Sequence, residues 1–526
     1  MAKNKKKKLA KYIAPAAAVV VIGAGLAIVL NLPDSSENQS TDDLTTAAEI
    51  NVSVDKNKLH QAEPKLDSNG ELKENGKGSL LSYIPRNIKT IEVENTKSSY
   101  KIKSYTPVTK GTDADGKETD ITDTTQYTIV GYEDITLREG QADSIANDVA
   151  ALDFTKISSI DGKNSDDFGF DKPQATVKIT YEDDTTAQII VGANAPTNAG
   201  VYLKFGTNDT IYLVDSDSVD SLLYGLNDLV TLDVTTSADD GANASMSTIE
   251  LGGKLYSDKV TIEANTSDST ASSNYLITSP IKTYGDDSNI SEIEAGIRGI
   301  YADSVVYVNP KQAQLKKYGL DTPYATIKAT YPDATVNLIA SKPNDKGYCN
   351  LMVKGGNVIY KILSDSIKWT QKSLDDLRSC YFVDNTLNSV EQCDVKFDKN
   401  NYSFTLNTEK TTTVDDDGNE QTASTTKVYY KGKEINQGSF QTAFDYMHSS
   451  SFERKEFTNV KLTTSPSMTI SFKYTAESGR ADDVLKFYEK YGKMYVTVND
   501  EQISYVYTNS AVDLQKLFTT ASKSKA

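Results

Sequence analysis

The most constraining feature of this chain is a stretch that returns. Phe168-Gly169-Phe170-Asp171-Lys172-Pro173-Gln174-Ala175-Thr176-Val177-Lys178-Ile179-Thr180-Tyr181 is echoed by Tyr318-Gly319-Leu320-Asp321-Thr322-Pro323-Tyr324-Ala325-Thr326-Ile327-Lys328-Ala329-Thr330-Tyr331, 150 positions on. A reduced copy, Pro466-Ser467-Met468-Thr469-Ile470-Ser471-Phe472-Lys473-Tyr474, follows a further 143 positions along. Chance seldom keeps a proline, a threonine and a closing tyrosine at near-equal intervals, so the chain reads as one unit built three times. The positions that define the unit are Gly169, Asp171, Pro173, Thr176 and Tyr181, then Gly319, Asp321, Pro323, Thr326 and Tyr331, then Pro466, Thr469 and Tyr474.

Within the motif, Ala175, Val177, Ile179 and Tyr181 alternate with Thr176, Lys178 and Thr180, and the other copies alternate likewise. Period two predicts a strand opened by proline in a sheet that is buried on one face only. Asp183-Asp184 and Pro332-Asp333 suit turns into return strands around Ile189 and Leu338. A later strand repeats a tyrosine at Tyr212, Tyr360 and Tyr505, and Leu226 to Leu229 and Leu374 to Leu377 suit a closing helix. Ahead of each motif, apolar residues at i, i+4 and i+7 predict a short amphipathic helix: Ile145, Val149, Leu152; Ile293, Ile297, Ile300; Phe440, Phe444, Met447. Strands are also expected at Ile88 to Val93, Ile249 to Leu251 and Val390 to Phe397. The expected fold is α+β: three tandem repeats of an antiparallel β-meander plus helices, preceded by one transmembrane helix. The units are placed at 83–234, 235–382 and 383–521, the last degenerate, with the end from Ser522 expected to fray.

The N-terminus sets the compartment. Lysines crowd residues 1–11, and Tyr12 to Leu30 is an uncharged run of 19 residues. As a helix it would span roughly 28 Å, close to a bilayer's hydrocarbon core. The lysines predict a cytoplasmic tail, a transmembrane anchor at 12–32 and an extracytoplasmic bulk. The run exceeds a usual signal-peptide core, and Asn31-Leu32-Pro33-Asp34 makes a poor cleavage site, which favours an uncleaved anchor over a cleaved leader. Residues 33–82 are acidic and aperiodic and read as a disordered tether, with a coil reach of about 40 Å. The chain carries a net charge of −17, and setting aside the six lysines ahead of the apolar run takes the remainder to −23. Nucleic acid is therefore not an expected partner. The 31 tyrosines against 14 phenylalanines suit strands with one wet face.

Here the residues carry a resemblance. Tyr-Gly-Leu-Asp-x-Pro-x-Ala-Thr-Ile from Tyr318, a meander ending in Val358-Ile359-Tyr360, and Ser373-Leu374-Asp375-Asp376-Leu377-Arg378 together resemble the family called domain of unknown function 4340. The resemblance implies a membrane anchor and an accessory role beside ABC-type transporters of the gliding-motility kind. It implies no catalytic residues.

Chemistry-bearing constellations are scarce. Of the two histidines, His60 falls in the tether and His448 follows a helix stripe. No nucleophile elbow, phosphate-binding glycine loop or His-Glu-x-x-His motif occurs, and no cofactor is expected. Asp113, Asp115 and Asp120 are calcium candidates, and Asp415-Asp416-Asp417-Gly418-Asn419-Glu420 is similar, but Asp-Gly within each also signals a hairpin turn. Cys349, Cys380 and Cys393 read as buried free thiols, with a Cys380–Cys393 bridge as the alternative. The Thr176-Lys178-Thr180 and Thr326-Lys328-Thr330 faces suit solvent, and a glycan or protein is the alternative occupant. The sequence thus favours a membrane-anchored extracytoplasmic binding or scaffold protein, not an enzyme, whose small-molecule ligand is unspecified. The rivals are a surface hydrolase using paired carboxylates and a wall-binding adhesin. Asp171 and Asp321 align for the former, but the third copy has Thr464 there.

Overall fold

Strict alternation puts Ala175, Val177, Ile179 and Tyr181 on the buried side of one strand, and that strand lies in the middle of a sheet. The architecture comes from a computed structural model that describes residues 65–66, 68, 72–74, 78–112, 118–122, 124–163, 165–206, 208–237, 246–266, 271–414, 420–456 and 460–526. Among them, three large sheets form, all of whose pairings are antiparallel.

The first sheet uses β1 (Ile88–Asn95), β2 (Ser99–Tyr105), β3 (Gln126–Ile129), β4 (Lys156–Ser159), β5 (Ala175–Tyr181), β6 (Thr186–Asn194), β7 (Val201–Phe205) and β8 (Ile211–Val214), with α1 (Gln141–Ala150) between β3 and β4. Its spatial order is β4-β8-β7-β6-β5-β1-β2-β3. The second uses β9 (Thr248–Gly252), β10 (Val260–Ala264), β11 (Tyr275–Ser279), β12 (Thr283–Tyr284), α2 (Asp287–Ala295), β13 (Ser304–Val308), α3 (Gln312–Lys317), β14 (Ala325–Thr330), β15 (Thr335–Ala340), β16 (Tyr348–Val353), β17 (Val358–Leu363) and α4 (Leu374–Leu377). Its order is β12-β11-β10-β9-β14-β15-β16-β17-β13. The third uses β18 (Val390–Phe397), β19 (Asn400–Val414), β20 (Glu420–Tyr430), β21 (Lys433–Ile435), α5 (Gln437–Tyr446), β22 (Met468–Tyr474), β23 (Asp483–Lys490), β24 (Lys493–Val498), β25 (Glu501–Tyr507) and α6 (Thr508–Lys523), ordered β21-β20-β19-β18-β22-β23-β24-β25.

Each sheet is two meanders joined through their first strands. Val93 faces Val177, which faces Ile189; Leu251 faces Ile327, which faces Leu338; Val395 faces Ile470, which faces Leu485. The prolines sit in matching places, two residues ahead of the ladder rather than at its first position. The residue after each donates the opening bond: Gln174 N–H to Val191 O, Tyr324 N–H to Ala340 O and Ser467 N–H to Phe487 O, at 2.8, 2.9 and 2.8 Å. Proline lacks that donor, so it fits only just outside the ladder.

One face of each sheet is covered by helices. Ile145, Ala146 and Val149 of α1 join Val177 and Ile179 in one core. Ile290 and Ile293 of α2 join Ile327 and Trp369 in the next, where the indole N–H is satisfied by Gly296 O at 2.9 Å. Phe440 and Phe444 of α5 meet Leu514 and Phe518 of α6 in the third. The helices are shorter than the stripes predict. Leu152 lies past α1 in a strand pairing 151–154 with 78–82, Ile297 and Ile300 lie past α2, and Met447 just follows α5, yet all four are buried. The i, i+7 spacing was met by a turn of helix plus an extended segment, because burial constrains the side chain and not the backbone that carries it.

Three further expectations change. Folded structure begins ahead of residue 83: Gly78–Ser82 forms a strand in which a bulge lets the adjacent Leu80 and Leu81 both face the core. The closing helices are a 3-10 turn at Leu226–Leu229 and a single α-turn at Leu374–Leu377, while the final helix holds to Lys523 with Ala521 buried. The hairpins expected at the two acidic stretches are met, since the strands flanking them pair, Thr112 with Glu118 and Val414 with Glu420. Residues 1–64, including His60, the apolar run and most of the expected tether, lie outside the described residues, as do Asp113 and Asp115. Among the described residues no helix is long and apolar enough to cross a membrane.

Truncating the matched core positions tests their equivalence. Ile327→Ala and Ile470→Ala, both fully buried, should each lower stability by about 2–5 kcal/mol in urea unfolding. Alkali provides a second test. Burial pushes Tyr331 and Tyr360 up to about 12, so these groups stabilise the fold fully below pH 10, their ordinary value. That stability is lost as pH rises toward 12. Absorbance titration should show late-ionising tyrosines and unfolding in that window.

Candidate functional site

The described residues contain polar constellations of two kinds, one between sheets and one on their outer faces. The first lies where the second sheet meets the third. Arg378 is wholly buried and pairs with Asp375, which also takes Arg454 Nη1 at 3.2 Å. Arg454 then donates to three carbonyls: Nε to Ser379 O at 2.6 Å, and Nη2 to Asp375 O at 2.7 Å and Arg378 O at 2.8 Å. Burial, then repulsion by Arg378, pulls Arg454 down to about 10. A planar fork with five donors can saturate such a corner, which a lysine cannot.

A second arginine clamps the same boundary. The Arg480 guanidinium lies over Tyr284 of the second sheet at 5.0 Å and over Tyr474 of the third at 4.5 Å. It bonds Asp483 at 2.7 Å and the Asp384 carbonyl. The Asp384 carboxylate in turn accepts from Ser272 Oγ at 2.5 Å and Ser273 N at 2.6 Å. The first and second sheets meet more lightly. Asn227 donates to Val306 O at 3.1 Å, Asn357 to Asp134, and Tyr132 and Leu226 pack against both cores. An open cavity of about 450 Å³ lies at this seam, lined by Lys97, Ser98, Tyr132, Asp228, Tyr307 and Val308.

The motif tyrosines occupy equivalent buried positions with different companions. Tyr181 stacks on Tyr83 at 4.0 Å, Tyr331 lies 4.9 Å from the Arg298 guanidinium, and Tyr474 carries Arg480. Only in the third does the hydroxyl find protein partners, donating to Asp483 at 2.8 Å and accepting from Asn385 at 3.0 Å; those of Tyr181 and Tyr331 have none among the described residues. Gly169 and Gly319 both adopt positive φ, +81° and +72°, and a Cβ on Gly169 would stand 2.7 Å from Ala193. Asp171 and Asp321 are exposed at the entrances of strands in separate sheets, and so is Thr464. They are not brought together.

On the outer faces, Thr176, Thr326 and Thr469 are half-buried. Beside them a charge ladder repeats: Lys101–Glu92 at 2.9 Å with Lys178 opposite Glu92, and Lys259–Glu250 at 2.8 Å with Lys328–Glu250 at 3.6 Å. The lysine hydrogen bonds, from Lys101 and Lys259, hold these carboxyls below their usual range. The third sheet replaces the ladder by Ser403, Asp394 and Ser471. A shallow cavity of about 640 Å³ lies over the first ladder. His448 sits between the Tyr381 and Phe444 rings with Nδ1 3.2 Å from Phe444 O, and burial lowers its pKa. The three cysteines are free, so no Cys380–Cys393 bridge forms, and burial pushes Cys349 up to about 11. Asp120 lies in a strand opposite Lys110, and no cluster of three or more metal-ligating side chains is found among the described residues.

Residues 127–274 and 276–483 each match the model described as Domain of unknown function (DUF4340), together more than half of the chain. The chain belongs to this family. No curated protein and no solved structure matches it. The DUF4340 matches are offset from the sheets: the first starts in β3 and stops before β11, and the second starts in β11 and stops at the first residue of β23. The first match therefore takes in helix, motif strand and meander plus the opening strands of the next sheet, and the second runs on through α5 and β22 of the third.

Sequence reasoning passed over Arg378, Arg454 and Arg480 as junction residues. A signal was present, since arginine occurs only six times among 56 basic residues. Arg86 and Arg138 are exposed, but the other four have side chains at most 13% exposed, as a desolvated fork requires. Removing the shared carboxylate should be costly: Asp375→Ala leaves two neighbouring buried guanidinium groups and should destabilise by about 3–5 kcal/mol. Lys97→Ala, at the exposed pair with Asp228, should cost less than about 1 kcal/mol. Urea unfolding of both variants checks the contrast.

Proposed function

We propose that this DUF4340 chain is a single-pass membrane protein whose extracytoplasmic part, three tandem copies of one α+β unit, serves as a non-enzymatic scaffold for an ABC-type transporter complex. The observation that carries the reading is the contrast between junctions and faces. Arg378, Arg454 and Arg480 fix the second and third sheets to each other with buried, multiply bonded charge, whereas domain pairs ordinarily move. Held in fixed relation, the sheets present outer faces that are polar around Glu250 and Asp394, which suits display of a surface to a partner. The uncharged run from Tyr12 to Leu30 behind its lysines supports membrane attachment. The transporter as partner rests on the family resemblance alone.

Affinity capture of the tagged full chain from detergent-solubilised membranes tests the reading. Transporter subunits should be recovered in stoichiometric amount, and Asp375→Ala should reduce that recovery. External protease on intact cells should remove residues 83–526 while sparing the lysine-rich tail. Protection of the bulk, or capture without any transporter subunit, contradicts the proposal.

A further inference from the structure

The third sheet departs from the second on its outer face. In the second, Thr326, Ile339 and Met352 stand side by side across three strands, and Ile339, Met352 and Ile359 are roofed by Leu320, with Leu315 and Tyr318 alongside. The same register in the third gives Thr469, Lys486 and Thr497. The next positions form a row of tyrosines, Tyr488 facing Tyr495 and Tyr495 facing Tyr505. An apolar row has become an aromatic and polar one, buried at Tyr495 and Thr497 and open only toward its end.

That face ends in a projecting tip. Lys490 and Lys493 close the β23–β24 hairpin around Tyr491 and Gly492, both at positive φ. Tyr491 is 78% exposed, and Tyr507, opposite Lys493, is 58% exposed. Lysine ammonium groups surround the rings: Lys490 lies 5.0 Å from Tyr491, Lys455 5.5 Å from Tyr507 and Lys493 3.8 Å from Tyr505. Lys490 also bonds Lys461 O at 2.8 Å, which brings the Lys461 backbone to the tip. Glu456 and Glu489 are the acidic neighbours along the chain, so the tip carries local positive charge on a molecule whose balance is −17.

We propose that this tip docks on the anionic headgroup surface of the bilayer. Tyrosine favours the headgroup level, where its ring and hydroxyl meet different media, and lysines alongside meet lipid phosphate. Exposed rings at a hairpin end suit a planar, partly apolar partner, and charge complementarity selects anionic lipid over zwitterionic lipid. The inference rests on the proposed attachment to the outer membrane face and adds a second contact to it, one that would orient the third sheet.

The test reconstitutes the full chain into vesicles of phosphatidylcholine, with or without phosphatidylglycerol. An environment-sensitive maleimide dye is placed at Asn509→Cys, exposed beside Tyr507, in a Cys380→Ser background, the other two thiols being buried. A control dye at Ala481→Cys reports the opposite end of β23. Docking predicts a blue shift and protection from aqueous iodide at 509, only with phosphatidylglycerol and reversed by high salt, with no change at 481. Lys490→Gln and Lys493→Gln should each lower the protected-to-exposed ratio by about fivefold. If the chain floats with vesicles but the dye at 509 stays quenched by iodide, docking is overturned and the anchor stands. Failure to float overturns both. Equal protection by soluble polyglycerol phosphate without anionic lipid overturns docking in favour of a wall polymer.

Discussion

The ladder between the opening strand of each sheet and its motif strand is the contact on which the rest depends. It lies in the middle of every large sheet and joins two meanders that would otherwise be separate ribbons. Isolated ribbons are marginal in water, whereas a sheet with one apolar face can be covered by helices and made stable. The strands that meet there are far apart in sequence, so forming the ladder closes a long loop containing the helix. Once closed, Val177, Ile327 and Ile470 stand at the same point of three cores. Register matters because a one-residue slip would turn each of these side chains to solvent.

From that ladder the outer features follow. Alternation that buries Ile327 exposes Lys328, and the same pairing sets Lys328 against Glu250. Equivalent cores also leave equivalent ends, and the ends are where the sheets meet. At the boundary of the second and third, polar atoms had to be satisfied away from water, and arginine does this with several bonds from one side chain. Such a junction defines orientation more than it adds stability, since burying charge is itself costly.

Much of this was legible in the residues. Alternation and recurrence foretold the motif strands, the return strands and the antiparallel sheets, and the Asp-Gly signals the hairpins. Helix ends were not legible: Ile297 and Ile300 keep helical spacing yet lie beyond Ala295, because a core position can be filled from an extended segment. Leu80 and Leu81 looked like part of a polar tether, because two adjacent apolar residues fit neither period, and only a bulge reconciles them with one core. The junction escaped for a different reason. Arg378 and Arg454 are distant in sequence and carry no spacing signal, so their meeting depends on how whole sheets dock. The tip at Tyr491 escaped too, since tyrosine and lysine are common throughout the chain.

Amide hydrogen exchange, read residue by residue, tests the central claim most directly. If one ladder organises all three sheets, the slowest amides should fall together in Ala175–Tyr181, Ala325–Thr330 and Met468–Tyr474 and in the strands that face them. The projecting part of the β19–β20 hairpin, which pairs only with itself, should exchange far sooner. Finding Met468–Tyr474 exchanging as fast as that hairpin would contradict the account, because the third sheet would then lack the centre the other two share.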